Sequence, residues 1–176
     1  MLRRPYRAGP WPGLTASGAG VLLGGALLLG VGQILVGTPR SALPDLPVLG
    51  VTALFPVAIA MRMIQAPGVA SAVCGAYLLP RTLLSLAQPG LELPPLLLAP
   101  ALAFDAAWWL LPITRMREAV AGGLFGLTLA VVEPAFAVFL GGDPALWSGT
   151  HVLLAGAATV LACALVAPVS VPGTAR

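Results

Sequence analysis

The chain has 176 residues, of which 59% are hydrophobic and 9% charged, with a formal net charge of +3 and a mean hydropathy of +0.97. A soluble domain carries charge on about a quarter of its residues, so this composition excludes a water-facing globule. The length is better counted in membrane spans of about 20 apolar residues each. All nine basic residues are arginines near the ends of apolar runs, with no basic patch interleaved with aromatics to bind nucleic acid.

The opening MLRRPYRAGPWPG is basic and gives way to an apolar run from Leu14 to Gly37. That run is longer than a signal-peptide core and no small-residue cleavage site follows it, so it reads as a retained first span over 14–37. Within it Gly20 and Gly24 have the spacing that lets two membrane helices approach closely. After TPRSALPDLP, a shorter second span covers 46–61, closed by RMIQAPG.

The third span, 67–88, carries Cys74, Tyr77, Arg81, Ser85 and Gln88 at intervals of three and four. This is a polar stripe on one helix face, which turns toward protein or water because lipid cannot satisfy it. AQPGLELPP separates it from a fourth span, 95–113, which holds Asp105 followed by Trp108 and Trp109. A fifth span covers 118–140. It carries Glu133 next to Pro134, and seven and eleven residues earlier stand Gly126 and Gly122. Those positions share a helix face, so Glu133 is expected on a closely packed face rather than against lipid. GGDPALWSG precedes a sixth span, 146–168, with Asp143-Pro144 read as a helix cap. The expectation is an all-α polytopic membrane protein, one bundle of six transmembrane helices over residues 1–176.

The arginines orient this bundle. With the N-terminus inside, Arg3, Arg4, Arg7, Arg62, Arg115, Arg117 and Arg176 fall inside, seven in all, and Arg40 and Arg81 fall outside. Asp45, Glu92 and Asp143 lie in outer loops. The asymmetry predicts both termini in the cytoplasm and residence in an inner or plasma membrane.

At about 1.5 Å per helical residue, Arg81 and Glu133 lie about 21 and 22 Å from the inner ends of their spans, and Asp105 about 15 Å from its outer end. Opposite charges at matching depth predict a pairing of Arg81 with Glu133 in a polar interior, with Asp105, Tyr77 and Ser85 near it. Two readings stay open for that cluster: an ion pair that fixes packing, or a ligand, ion or proton site. A single histidine, His151, and two cysteines, Cys74 and Cys163, rule out a bis-histidine haem and leave a metal cluster short of ligands. No phosphate-binding loop or nucleophile motif is present, so no cofactor and no catalytic residue is expected, and an enzyme is the least favoured class.

Two functions remain: a transporter or solute-binding membrane subunit, or an accessory subunit of a larger membrane complex such as a respiratory one. Both imply the lipid bilayer and other membrane subunits as partners. Six spans in under 200 residues is similar to the substrate-binding subunits of energy-coupling-factor transporters. The likeness is one of length and topology, and Ala16, Gly20 and Gly24 resemble that family's Ala-x-x-x-Ala docking face. It implies solute binding and a separate energising partner, and it carries no binding residue to this chain.

Overall fold

Apolar runs broken by proline and glycine fold here as helices, because a helix satisfies its own backbone polar groups. In the computed structural model, which describes residues 16–36, 46–64, 66–88, 94–112, 115–140 and 150–169, six helices follow one another. They are α1 (Ala16–Val36), α2 (Leu46–Ile64), α3 (Val69–Ala87), α4 (Leu98–Leu110), α5 (Arg115–Phe139) and α6 (Thr150–Val169). Four of them are long and apolar enough to cross a membrane: α1, α2, α3 and α5. α4, at 13 residues, is the short one.

The helix bounds depart from the sequence expectation in physically readable ways. α2 runs on to Ile64 and α5 starts at Arg115, so Arg62 and Arg117 belong to terminal helical turns rather than to loops. α4 begins at Leu98, not 95, because Pro94 and Pro95 hold the chain out of the helical region. It ends at Leu110, before Pro112. Asp45, Glu92, Asp143 and Pro144, the terminal arginines and Arg40 lie outside the described residues, and α6 is described from Thr150 rather than 146.

Consecutive helices run antiparallel. Gly25 of α1 faces Ala60 of α2 while Gly32 faces Thr52. Phe104 of α4 meets Phe125 of α5 edge to face, with ring centroids 6.4 Å apart. The buried interior includes Leu29, Leu49, Leu54, Met61, Val73, Phe104, Phe125 and Leu129. Large side chains such as Leu27, Ile34, Leu79, Leu110, Phe139 and Leu153 point outward. That apolar outside is compatible with lipid contact, and with the long apolar helices it points to residence in a membrane. Hydroxyls turn back on their own helices: Thr52 Oγ1 donates to Val48 O at 2.9 Å, Thr128 Oγ1 to Leu124 O at 2.8 Å and Thr159 Oγ1 to Ala155 O at 2.6 Å.

α5 packs most extensively on α6, and glycines make that approach possible. A Cβ built at Gly126 would sit 2.8 Å from Thr159 O, and one at Gly122 would collide with Cys163 O and lie 2.7 Å from Ala167 Cβ. At Gly20 and Gly24 of α1 a Cβ would meet nothing within 4 Å. There the packed glycine is its neighbour Gly25, against Val73 and Ala60. We therefore expect Gly122→Ala and Gly126→Ala each to destabilise the protein by about 1–3 kcal/mol, the usual cost of overpacking a tight contact. Gly20→Ala and the outward-facing Leu127→Ile should stay within about 0.5 kcal/mol of the parent. Thermal melts in detergent measure the difference.

Candidate functional site

Asp105 is 6% exposed, and its partners explain why a carboxylate is there. Its Oδ1 accepts from Ala70 N at 3.2 Å; its Oδ2 accepts from Ser71 N at 2.9 Å and from Ser71 Oγ at 2.7 Å. Ala70 and Ser71 are in the first turn of α3. The cap residue of that helix is Gly68, at φ 79°, which offers no side-chain cap. A helix leaves its first N–H groups without partners, and an Asp at the cap position normally accepts them. Here α4 supplies the carboxylate from a neighbouring helix, where it also meets the positive end of the α3 dipole. Asp105, near the middle of α4, therefore sits where α3 begins.

Glu133 is 2% exposed and performs a related task just before the start of α4. Its Oε2 accepts from Leu96 N at 3.0 Å. The approach to α4 is non-helical chain among buried residues: Pro94, Pro95 and Leu97 are all buried. The two prolines have no N–H. Leu97 N donates to Pro95 O at 2.9 Å, and Leu96 N donates to Glu133. Every donor of the segment is thus accounted for, as an apolar surround demands.

Arg62 closes the end of the bundle where α3 and α5 start. It pairs with Glu118, and Nη2 also donates to Ala167 O at 3.0 Å and to Pro168 O at 3.2 Å. One guanidinium thus joins the end of α2, the start of α5 and the last carbonyls of α6, where a cation is favoured. Beside it the Arg117 guanidinium lies 4.3 Å above the Trp108 ring, a cation–π contact.

A further polar group lies between α1 and α3. Gln33 of α1 is 6% exposed, and neither its amide nitrogen nor its amide oxygen has a hydrogen-bond partner. It lines a cavity of about 450 Å³ with Tyr77, Arg81, Pro94 and Pro95. Arg81 is the polar neighbour of the Tyr77 hydroxyl, and the Tyr77 ring lies over Gly30. An amide buried without a partner costs about 1–3 kcal/mol, and the cavity's volume falls within the range of small-molecule sites.

The expected cluster thus divides. Arg81 and Tyr77 share the α1–α3 cavity. Ser85 is on the same helix, its hydroxyl donating to Arg81 O at 2.9 Å. Glu133 accepts from Leu96 N, and Asp105, near the middle of α4, accepts from the start of α3. Among the described residues the one ion pair is Arg62–Glu118, so Arg81 and Glu133 are not brought together as an ion pair. Sequence reasoning missed Gln33, although it is the one amide in the apolar run 14–37; it treated Arg62 as a marker of orientation only and gave Glu118 no role. The side chain of His151 lies outside the described ones. Among the described residues no three His, Cys, Asp or Glu side chains gather as metal ligands.

Comparison with protein-family models, with curated proteins and with solved structures yields no match. The functional reading therefore rests on geometry.

Two expectations follow. Asp105→Ala leaves two helix N–H groups and a hydroxyl without their acceptor and should cost about 2–4 kcal/mol, against about 1 kcal/mol for Ser71→Ala, which removes one bond. Thermal unfolding in detergent gives both values. For Arg62→Met and Glu118→Gln, a double-mutant cycle should return a coupling of about 1 kcal/mol, moderated by the partial exposure of the pair.

Proposed function

We propose that this chain is a small six-span membrane protein with both termini in the cytoplasm, and that it binds a solute in the α1–α3 cavity as a transporter or as the solute-binding subunit of one. The observation that carries the reading is Gln33: a buried amide with neither atom partnered, in the wall of a cavity that also holds Arg81 and Tyr77. A purely structural polar group in an apolar bundle is expected to find a partner, as Asp105 and the threonines do; Trp109 Nε1 and Arg117 Nε also lack one, but of these residues Gln33 is the one that lines the cavity.

The orientation is supported by the arginine split and by the alternation of helix directions, which gathers Arg62, Arg115 and Arg117 at one end. That end faces the cytoplasm. α4 crosses with help: its helix covers about 20 Å, and the non-helical lead adds about 10 Å at the length of extended chain, which together match a hydrocarbon core of about 30 Å. A second reading, an accessory subunit of a membrane complex, is favoured by a different observation. Asp105, Glu133 and the Arg62–Glu118 pair all have partners within the chain, as in a protein that serves to hold others.

Three measurements test this. In a background with Cys74 and Cys163 replaced by alanine, single cysteines at 45 and 143 should react with a membrane-impermeant maleimide from outside, and cysteines at the termini should not. Native mass spectrometry from mild detergent should reveal a bound small molecule, lost in Gly30→Phe, whose ring fills the cavity beside Tyr77. Absence of any bound mass, together with cross-links to the subunits of a redox complex, would favour the accessory reading. Cross-links to a pair of ATPases would favour transport.

A further inference from the structure

We infer that the α1–α3 cavity is an oxyanion site: it takes a ligand with a carboxylate or phosphate head on Arg81, an apolar body, and an uncharged hydrogen-bonding group at Gln33. The inference rests on the solute-binding reading and names the class of ligand.

The sign of the charge comes from the lining. Among the described residues that line the cavity, Arg81 is the one charged residue. A guanidinium cannot be deprotonated in a protein and offers only donors. Held partly buried in an apolar bundle, with no ion pair to a carboxylate among the described residues, it favours an anion and repels a cation. Carboxylate and phosphate fit its planar fork and form the strong, charge-assisted class of hydrogen bond. The Tyr77 hydroxyl stands next to the guanidinium and adds a further donor to the same head.

Gln33 supplies the second point of recognition. Its nitrogen donates, its oxygen accepts, and both are unpartnered at 6% exposure. A buried amide with free capacity on both atoms reads a group that can do both, such as an amide or hydroxyl, and favours a ligand that offers one over a ligand that leaves it unpaired. Pro94 and Pro95 form an apolar wall with no N–H to offer, so the ligand's body between the two polar points is apolar. The oxyanion has two possible sources, a soluble solute or the phosphate of a lipid headgroup, and both present the same chemistry to Arg81.

The test uses the full chain in neutral maltoside micelles with three probes that share one apolar body: 4-phenylbutyrate, 4-phenylbutyramide and 4-phenylbutylamine. Affinities are read from saturable shifts of the melting temperature. The expected result is binding of 4-phenylbutyrate at least tenfold tighter than of the other two. Arg81→Met should weaken it tenfold or more. 4-(4-Hydroxyphenyl)butyrate, a fourth probe that adds a hydroxyl for Gln33, should bind tighter than 4-phenylbutyrate, and Gln33→Leu should abolish that advantage. Arg81→Lys keeps the charge and loses the fork, so it should retain part of the affinity if Arg81→Met does not fold. In a parallel arm, phosphatidylglycerol is titrated against phosphatidylcholine. Selective, Arg81-dependent binding of phosphatidylglycerol without binding of the butyrate upholds the oxyanion site with a lipid as its source, and it is then the solute-binding reading that fails. Equal or tighter binding of the amide or the amine overturns the oxyanion site while leaving a solute site in place. Binding of none of the probes and neither lipid overturns it outright.

Discussion

The interaction on which the arrangement depends is between a buried carboxylate and a backbone N–H that no helix satisfies. An apolar chain has few side chains to spend on capping, and the starts of α3 and α4 are capped by Gly68 and Leu97, neither of which makes a side-chain cap bond. Asp105 and Glu133 fill the gap from neighbouring helices. α4 stands between them: it lends a carboxylate to α3 and receives one from α5. A helix of 13 residues is thereby tied near its middle and at its lead-in, and that lead-in makes its turn without an orphan donor.

Close packing does the rest of the positioning. With few large polar groups to order the bundle, α5 and α6 meet through Gly122 and Gly126 at distances a Cβ would forbid, in the way small residues set membrane helix contacts. Arg62 then gathers the ends of α2, α5 and α6 through Glu118 and two carbonyls. The bundle has a charged fastening at that end. Toward its other end lies a cavity, walled by α1, α3 and the proline segment.

That asymmetry separates structural polarity from available polarity. The carboxylates of Asp105 and Glu133 are engaged by backbone. Gln33 is buried with its amide unused, beside an arginine and a tyrosine at a space large enough for a small molecule. Buried polar groups are ordinarily hydrogen-bonded, and this departure from the rule is the molecule's clearest pointer to a ligand.

Composition and punctuation decided much about this protein without any structure. Low charge and long apolar runs make membrane helices, proline and glycine clusters end them within a few residues, and the Gly122/Gly126 spacing marks a face able to pack closely. The arginine distribution also lies in the sequence alone. These are local properties, each set by a helix's own residues. The partner of Glu133 was not legible, because depth and sign suggested Arg81 while the acceptor's need is met by Leu96 N–H, and a backbone amide leaves no letter in the sequence. Gln33 was not legible either. Its meaning depends on α1 lying beside α3 and on the rotation that turns residue 33 toward Arg81. Adjacency and rotation come from the packing of distant segments against one another, so only the tertiary structure could decide them.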